Sequence, residues 1–296
     1  IFDFLMSGFI YIYWKFSERN ELPIVKNHDP EALTELRRMT GPFVLRRLKK
    51  DVLRELPGKE ERIVYSAASG RQQKLYTASA LKLKEALAGG AWSGNGKLEV
   101  LSQLMRLRQI CCDPALCFED YTGESAKLET CVSLIASASA AGHKILLFSQ
   151  FASMLERIRE RLLQEGISSH LLVGATPKEE RSRMVQAFAS DEVPVFLISL
   201  KAGGTGLNLT AADIVIHYDP WWNVAAQNQA TDRAYRIGQE KPVTVYKLIL
   251  KDTIEENLLK LQNAKLALAA QVVSEGMVSL GDLSQNELME LFEQNP

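Results

Sequence analysis

Residues 193–200 read VPVFLISL, a run that is apolar at nearly every position. Strands that are buried on both faces, as in parallel sheets, have this pattern, whereas strands with one wet face alternate apolar and polar residues. Residues 144–149 (KILLFS) and 213–217 (DIVIH) are similar. Helical patterns and short links separate these strands, which predicts an α/β fold: a parallel sheet with helices on both faces.

The same alternation of helix and strand extends over the second half of the chain. Helices are predicted at 127–141, 151–165, 177–189, 224–236 and 253–273, and strands at 144–149, 169–173, 193–200, 213–217 and 243–250. Gly142 and Gly166 follow the first two helices and are typical helix stops. Because ligands of such folds bind beyond the carboxyl ends of the strands, we expect a site at that edge.

Four segments are predicted along the chain. They are a helical, basic segment at 1–62, a helical segment at 63–126 with a flexible glycine-rich loop near 89–96, the sheet domain at 127–273, and an acidic tail at 274–296 with a short helix. The opening residues contain no initiator Met, basic start or small-residue cleavage site. This favours a piece of a longer chain over a signal peptide.

Composition narrows the functional class. The chain is 46% hydrophobic and 24% charged, which is typical of a soluble globular protein. No apolar stretch approaches the roughly 20 residues that span a bilayer, so no membrane partner is expected. The net charge is −1, although residues 37–50 contain six basic residues and no acid. That run is either a solvated helix face or a phosphate-facing patch.

The four cysteines, Cys111, Cys112, Cys117 and Cys131, have neither disulfide nor zinc-site spacing. Adjacent cysteines are poor disulfide partners, and no CxxC pair accompanies them. Buried, reduced thiols of an intracellular protein are the better interpretation, and no metal site is predicted on this chain.

A glycine-rich loop, KAGGTGLN at 201–208, directly follows the strand at 193–200. Its backbone N–H groups could approach a phosphate closely, and Lys201 would add positive charge. A simple tight turn is the alternative. The dinucleotide-binding pattern G-x-G-x-x-G is excluded because Leu209 occupies the place of its third glycine.

Polar residues also follow two other predicted strands. Ser149 and Gln150 either cap the next helix or belong to a site. The stretch GATP at 174–177, with Arg181 and Arg183 after it, is either a turn with a solvated helix face or a further part of that site.

The stretch QATDRAYRIGQ, residues 229–239, contains two arginines three positions apart. On the predicted helix 224–236 Arg233 and Arg236 share one face, an arrangement suited to holding a phosphate chain. Surface ion pairs with Asp232 or Glu240 are the alternative. The preceding DPWWN, residues 219–223, places two tryptophans that either pack in the core or lie near a ligand.

In order and spacing these polar loops resemble the second RecA-like lobe of SWI/SNF-type ATPases of helicase superfamily two. The segments that carry the resemblance are LLFSQF at 146–151, LISLKAGGTGLNLTAAD at 197–213, DPWWN at 219–223 and QATDRAYRIGQ at 229–239. PFVLRRLKKDV at 42–52 and LPGK at 56–59 are similar to the stretch that links the two lobes, and LRQIC at 107–111 also resembles the family. Residues 1–40 resemble the family's helical protrusion.

The resemblance implies a role for each matching position. ATP and Mg²⁺ would be held mainly by a first RecA-like lobe outside this chain, and Arg233 and Arg236 would reach the ATP phosphates when the lobes close, with Gln229 orienting water or nucleotide. The further nucleotide-binding positions are Gly204, Gly206, Asn208 and Asp232. The backbone of double-stranded DNA would be contacted, without sequence preference, by Ser149, Gln150, Thr176, Lys201, Gly203, Trp221 and Trp222.

The chain has neither a G-x-x-x-x-G-K-[ST] phosphate loop nor an Asp-Glu pair at the end of a strand. Tight ATP binding depends on both, so the chain alone is expected to be inactive. The resemblance implies the C-terminal half of an ATP-dependent, DNA-stimulated double-stranded DNA translocase or remodelling motor. The alternatives are a strand-separating helicase lobe and a non-catalytic RecA-like interaction module. The short span between Lys59 and Lys127 favours a bacterial source, and hence the cytoplasm or nucleoid.

Overall fold

The computed structural model describes residues 13–16, 18–19, 23, 29–43, 56–68, 70–89, 96–202, 207–260 and 262. The chain divides into two compact units, Ile1–Glu55 and Leu56–Pro296.

The first unit is helical where it is described. Helices α1 (Tyr13–Phe16) and α2 (Pro30–Thr40) are followed by a 3₁₀ turn, Gly41–Phe43. The Asp29 carboxylate accepts hydrogen bonds from the backbone N–H groups of Glu31 (2.9 Å) and Ala32 (3.3 Å). This caps α2, whose first position is a proline, as is common at helix starts. The basic run beyond residue 43 lies outside the described residues.

The second unit is built on one six-stranded sheet in which every pairing is parallel. The strands are β1 (Lys59–Ser66), β2 (Ile145–Ser149), β3 (Ser169–Leu172), β4 (Val195–Ser199), β5 (Ile214–His217) and β6 (Val243–Leu250). Their order across the sheet is β1-β6-β5-β2-β4-β3. The predicted fold class, a RecA-like parallel sheet with helices, is confirmed.

In the described parts of the chain between the strands, there are six helices and a 3₁₀ turn. The helices are α3 (Gly70–Ala88), α4 (Gly96–Cys112), α5 (Ala126–Ala140), α6 (Ala152–Gln164), α7 (Lys178–Ser190) and α8 (Val224–Thr231), and the turn is Pro114–Leu116. Residues 254–260, after β6, form a further helical stretch, α9. In the described part of the chain, every helix is too short or too polar to cross a membrane.

Apolar side chains project from both faces of the sheet, which explains the uninterrupted apolar runs of its central strands. In β2, Leu147 packs with residues of α5 and α6, whereas Leu146 and Phe148 pack on the other face with Phe188 of α7. A third core lies between α3, α4 and α9. Replacing a side chain such as Leu147 with alanine in a core of this kind costs about 2–5 kcal/mol.

Strand β1 is the main departure from the sequence prediction. Residues 63–126 were predicted to be helical, and the predicted boundary at 62/63 falls inside this strand. β1 pairs with β6 from Lys59↔Val243 to Ser66↔Leu250, so the sheet begins far ahead of the predicted boundary at 126/127. The reason is its position at the sheet edge, where most of its side chains are exposed and KEERIVYS carries charges instead of an apolar run.

The helix predicted at 224–236 also differs, because α8 ends at Thr231. The N–H of Asp232 bonds to the carbonyl groups of Asn228 and Ala230, and the chain then continues in turns. The helix predicted at 253–273 is helical over 254–260 and at Gln262. Its remainder, the loop at 90–95 and the tail at 274–296 lie outside the described residues.

Candidate nucleotide and nucleic-acid site at the carboxyl edge of the sheet

Loops after neighbouring strands meet at the carboxyl edge of the sheet. β5, β2, β4 and β3 are adjacent in that order, so their carboxyl ends bring together four loops. Each of these loops contains residues that the sequence singled out, and contacts between the loops fix their positions.

Asp219 joins the loop after β5 to the loop after β2. One of its carboxylate oxygens accepts hydrogen bonds from the Ser149 hydroxyl (2.5 Å) and from the Gln150 backbone N–H (3.2 Å). The Ser149 hydroxyl oxygen accepts in turn from the Phe151 N–H (3.1 Å). Burial raises the pKa of Asp219, and the charge of Arg108 opposes this rise.

Ser149 is therefore a loop-shaping residue and is fully buried. Its hydroxyl is committed to Asp219, so a phosphate could reach it only by displacing that carboxylate. The predicted DNA contact at Ser149 does not fit this position. Gln150, one residue later, is partly exposed at the edge.

Arg108, near the end of α4, lies beneath the same two loops with only 1% of its surface exposed. It donates to the Gln150 side-chain oxygen (2.8 Å) and to the Pro220 carbonyl (2.5 Å), and it lies 3.6 Å from Asp219. Its guanidinium also lies over the ring of Trp222, 5.2 Å from the ring centroid. Burial lowers the pKa of Arg108, which the Asp219 carboxylate counteracts.

The two tryptophans are both half-buried. The Trp221 backbone is held on both sides, since its N–H donates to the Gln227 side-chain oxygen (3.2 Å) and its carbonyl accepts from the Gln262 side chain. Trp222 packs against the core between α3 and α4. Of the two interpretations of Trp222, packing is the one that the contacts favour.

Arg181 connects the loops after β3 and β4. Its guanidinium donates to the carbonyl groups of Thr176 (3.3 Å) and Ala202 (3.2 Å). The Thr176 hydroxyl accepts from the Val173 N–H (3.1 Å), which tightens the turn. Lys201 is exposed beside Ala202. Gly203, Gly204 and Gly206 lie outside the described residues.

The segment that contains Arg233 and Arg236 is hydrogen-bonded to residues 207–209, at the C-terminal end of the glycine-rich loop. The Arg233 carbonyl accepts from the Leu209 N–H (3.0 Å), and a guanidinium nitrogen of Arg236 lies 3.5 Å from the Leu207 carbonyl. The buried Gln239 amide donates to the carbonyl groups of Thr210 (3.1 Å), Ala212 (2.8 Å) and Ala234 (3.1 Å).

Arg233 and Arg236 do not share a helix face, because α8 ends before both of them. Arg233 is only 8% exposed, whereas Arg236 is exposed. The two charges nevertheless interact: burial first, and then the charge of Arg236, lower the pKa of Arg233, while Asp232 opposes them. Two guanidinium groups whose charges interact make this part of the surface electropositive, which suits a phosphate chain. Gln229 and Asn208 are exposed, and Asp232 is partly exposed.

His217, the last residue of β5, connects the sheet to the end of α8. Its ring stacks on Phe148, and its Nε2 lies 2.8 Å from the Thr231 hydroxyl oxygen. Burial, with a contribution from Lys247, lowers the pKa of His217 to about 3. The ring is therefore neutral at physiological pH and serves packing and hydrogen bonding.

A buried ion pair holds the backbone that follows β5. Lys127, at the start of α5, lies 2.5 Å from Glu255 of α9 and also donates to the Tyr218 carbonyl (3.2 Å). Burial would lower the pKa of Lys127, but the Glu255 carboxylate outweighs it and raises that pKa. This pair attaches α9 to the end of β5.

Sequence reasoning gave no site role to several residues that organise these loops, among them Arg108, Asp219, Gln239 and the pair Lys127–Glu255. Their partners are distant in sequence, so only the fold reveals the contacts. Arg181 was singled out, but its role in joining two loops was not predicted. One signal was available: Arg108 and Lys127 are charged residues within helical stretches that otherwise bury apolar side chains. Among the described residues, no group of His, Cys, Asp and Glu could hold a metal ion, and all four cysteines are free.

Comparison with known proteins defines the class. The model of the helicase conserved C-terminal domain matches residues 126–238, and that of the SNF2-related domain matches residues 1–116. The SWI2/SNF2 ATPase core of Sulfolobus solfataricus in complex with dsDNA is 33% identical, with a TM-score of 0.68 over 99% of this chain and 63% of that chain. The C-terminal domain of a Sulfolobus solfataricus SWI2/SNF2 ATPase is 31% identical, with a TM-score of 0.65 over 80% of this chain and 100% of that chain. The chain belongs to the SWI2/SNF2 family of ATPases.

Curated relatives are much longer. The putative ATP-dependent helicase/translocase YwqA of Bacillus subtilis is 40% identical over 99% of this chain and 32% of its own length. The uncharacterized ATP-dependent helicase MG018 of Mycoplasma genitalium is 38% identical over 99% of this chain and 28% of its own length. A SWI/SNF-related regulator of chromatin from Mus musculus, subfamily A member 1, is 34% identical over 89% of this chain. The chain spans about a third of the length of the first of these relatives.

Proposed function

We propose that this chain is the C-terminal half of an ATP-dependent, DNA-stimulated motor that translocates along double-stranded DNA. The observation that carries the proposal is the position of Arg233 and Arg236, whose charges interact and whose segment is hydrogen-bonded to the end of the glycine-rich loop. Gln150, Thr176 and Lys201 lie at the carboxyl ends of the neighbouring strands. A B. subtilis relative named as a helicase/translocase and a solved relative in complex with dsDNA support it.

The nucleotide in this proposal is ATP with Mg²⁺, both held mainly by a first RecA-like lobe outside this chain. ATP supplies a phosphoryl group whose transfer to water develops negative charge on the phosphate oxygens. Arg233 and Arg236 would place two positive charges next to that group, and the interaction of their charges supports this fit. Gln229, exposed on α8, orients water or nucleotide. Asn208, Asp232, Gly204 and Gly206 complete the nucleotide-facing part.

The proposed DNA contacts are to the phosphate backbone and carry no sequence information. Lys201 is exposed and contributes charge, whereas Gln150 and Thr176 contribute hydrogen-bonding groups at the ends of β2 and β3. Gly203 would allow the backbone to approach a phosphate. Trp221 and Trp222 belong to the same edge through the loop after β5. Because affinity from phosphate contacts falls as salt rises, DNA stimulation should weaken with increasing ionic strength.

The experiment that tests the proposal compares ATP hydrolysis by this chain with hydrolysis by the longer protein that includes the preceding lobe, each with and without duplex DNA. DNA-stimulated turnover in the longer protein, and none in this chain, is expected. Enzyme-like turnover by the isolated chain would contradict the half-site assignment. Absence of turnover in both would favour a RecA-like interaction module.

The relatives named as helicases make strand separation a second candidate function. A duplex whose strands carry a fluorophore and a quencher distinguishes the two, because translocation along a duplex does not release a strand. Displacement of a third strand from a triplex, without separation of the duplex, is the expected result. Relatives from two bacteria match 99% of the chain, which supports a bacterial source.

A further inference from the structure

We propose that Arg181 is a positioning residue that holds the Thr176 turn (residues 173–176) and the Lys201 loop (residues 200–202) at a fixed separation, so that both engage the phosphate backbone of DNA together. The inference rests on the proposed function, because it deepens the DNA-facing part of the same site. Arg181 lies in the first turn of α7, the helix that follows the Thr176 turn.

The first step is the reach of the guanidinium group. One terminal nitrogen of Arg181 donates to the Ala202 carbonyl (3.2 Å) and the other donates to the Thr176 carbonyl (3.3 Å). These carbonyl groups belong to the loops after β4 and β3, which are paired strands of the sheet. A lysine, with a single nitrogen, cannot reproduce this two-pronged arrangement. Arg181 therefore fixes where the two loops lie relative to each other.

The second step is that the backbone around Lys201 is held on both sides. Before it, the Leu200 N–H donates to the Ser149 carbonyl (2.9 Å), and after it, the Ala202 carbonyl accepts from Arg181. Ala202 is followed in the sequence by two glycines, the residue type with the greatest backbone freedom. Loss of Arg181 would therefore remove the restraint on the glycine-rich side of Lys201.

The third step is the hydrogen-bond donor that Thr176 keeps. The Thr176 N–H donates to the Val173 carbonyl (3.1 Å), and the Thr176 hydroxyl oxygen accepts from the Val173 N–H (3.1 Å). A hydroxyl group that accepts a hydrogen bond still has its own O–H to donate. Thr176 is partly exposed and Lys201 is exposed. Phosphate oxygens accept hydrogen bonds, so they match the donors of both side chains.

The fourth step is the direction in which the Arg181 side chain points. Both of its terminal nitrogens face backbone carbonyl groups, and the third nitrogen, Nε, is buried. The guanidinium group is therefore engaged within the protein. Arg181 acts through the two loops, whereas Thr176 and Lys201 supply the groups that meet DNA.

The test uses the full-length protein that contains this chain and measures the duplex DNA concentration that gives half-maximal stimulation of ATP hydrolysis. Arg181→Lys keeps the positive charge but loses the second contact. The half-stimulating DNA concentration should rise about ten-fold, the scale of ordering one or two side chains on binding. The maximal rate at saturating DNA should stay within about two-fold of wild type. An unchanged half-stimulating concentration would overturn the proposal.

A double variant separates positioning from direct contact with DNA. Lys201→Ala alone should raise the half-stimulating DNA concentration about ten-fold, the scale of a hydrogen bond to a charged group. If Arg181 acts through Lys201, then Arg181→Lys/Lys201→Ala should fall more than two-fold short of the product of the two single effects. A double variant within about two-fold of that product would mean that the residues act independently, and the proposal would be rejected.

Arg181→Met keeps the test decisive if Arg181→Lys does not fold, because methionine retains the apolar stem and loses every donor. Thermal unfolding identifies the folded variant, and the same shortfall with Lys201→Ala is expected. Arg159→Lys is the matched control, since Arg159 is exposed on α6, which packs on the opposite face of the sheet from α7. It should leave the half-stimulating concentration unchanged. An equal rise in the control would show that the effect does not depend on the two loops.

Failure of the proposed function has a different signature from failure of this inference. If the wild-type protein shows no DNA-stimulated hydrolysis, the motor assignment is wrong. The same single and double variants are then compared by direct binding of labelled duplex DNA to the 296-residue chain. If wild type is stimulated and the effects of Arg181 and Lys201 multiply, only the positioning role of Arg181 is rejected.

Discussion

The amino edge of the sheet, where the strands begin, and its carboxyl edge, where they end, carry the same kinds of charged group. The two edges differ in how deeply these groups are buried. At the amino edge, Lys144 and His170 pair with Asp191, and the three side chains are 22%, 21% and 27% exposed. At the carboxyl edge, Arg108 and Asp219 are each 1% exposed. Water can replace a lost partner at the first edge, whereas it cannot reach the second.

The amino edge also includes His143, which lies 2.8 Å from Asp213, with Lys241 3.9 Å away. These contacts join the residues that precede β2, β5 and β6. They hold the strand starts together, and their cationic or imidazole side chains are largely exposed although the Asp213 carboxylate is buried. The carboxyl-edge contacts instead set the positions of loops that present side chains outward. Burial of the basic partner, more than its presence, therefore distinguishes the candidate site from the opposite edge.

The largest effect should come from Arg233→Ala in the full-length protein. An arginine that stabilises a transferred phosphoryl group contributes on the order of 10³ or more in rate, so ATP turnover at saturating DNA should fall by about that factor. Lys241→Ala removes an exposed cation at the amino edge and should leave turnover unchanged. Equal losses in the two variants would contradict the specific role of Arg233 in phosphoryl transfer.

Loss of one acidic partner at each edge tests the role of burial in stability. Asp219→Ala leaves Arg108 buried without its counter-charge and should cost about 3–5 kcal/mol. Asp191→Ala breaks partly exposed pairs and should cost about 1 kcal/mol or less. Urea unfolding of the 296-residue chain measures both. Similar costs would contradict the argument from burial.

His217 gives the carboxyl edge a dependence on pH. Its pKa is lowered to about 3 by burial, below the ~6.5 of an unperturbed histidine, so the unfolded chain takes up the proton first as pH falls. Its contribution is full above about pH 6.5 and is lost toward pH 3. Between pH 7 and pH 5 the free energy of unfolding should fall by about 2 kcal/mol from this group.

The measurement compares the pH dependence of urea unfolding for wild type and His217→Phe. The phenylalanine keeps the stacking on Phe148 but does not titrate. The slope between pH 7 and pH 5 should therefore flatten in the variant, whatever its stability at pH 7. Equal slopes would show that His217 is as easily protonated in the folded protein as in the unfolded one.

The smallest effect is expected from His143→Ala at the amino edge. His143 is 45% exposed, and Asp213 keeps its hydrogen bond from the Lys144 N–H (3.2 Å). A half-exposed partner of a carboxylate that keeps its other contacts contributes about 0–1 kcal/mol. Urea unfolding should therefore place this variant within about 1 kcal/mol of wild type. A larger loss would mean that the amino edge is more tightly coupled to the fold than its exposure indicates.

The sequence predicted the apolar strands and the loops after them. A strand that is buried on both faces is a continuous run of apolar residues, and such a run is recognisable from the local sequence. β1 was missed because an edge strand needs no such run, and its partner β6 lies about 180 residues away. The end of α8 was misplaced because nothing in AYRIGQ breaks a helical pattern before Gly238. The Asp232 cap that stops it is a backbone feature.

The sequence identified the segments that form the candidate site, but not the contacts between them. Thr176, Lys201 and Gln150 lie at the strand ends where the alternation placed them, and the glycines of the loop remain predictions. The buried role of Ser149 was not visible, because its partner Asp219 is brought close only by the β2–β5 pairing. Long-range partners of polar residues are set by topology, which one sequence does not display.

The pairing of β1 with β6 has a mechanical consequence. The chain enters β1 at its amino end and leaves β6 at its carboxyl end, and the two strands run parallel over eight residue pairs. A pull on the chain before Lys59 and after Leu250 would act along the strands in opposite directions. All the hydrogen bonds of this ladder would then be loaded together in shear, instead of opening one after another from one end. A force transmitted through these residues therefore pulls on the strand pair in the direction in which the pair resists separation most strongly.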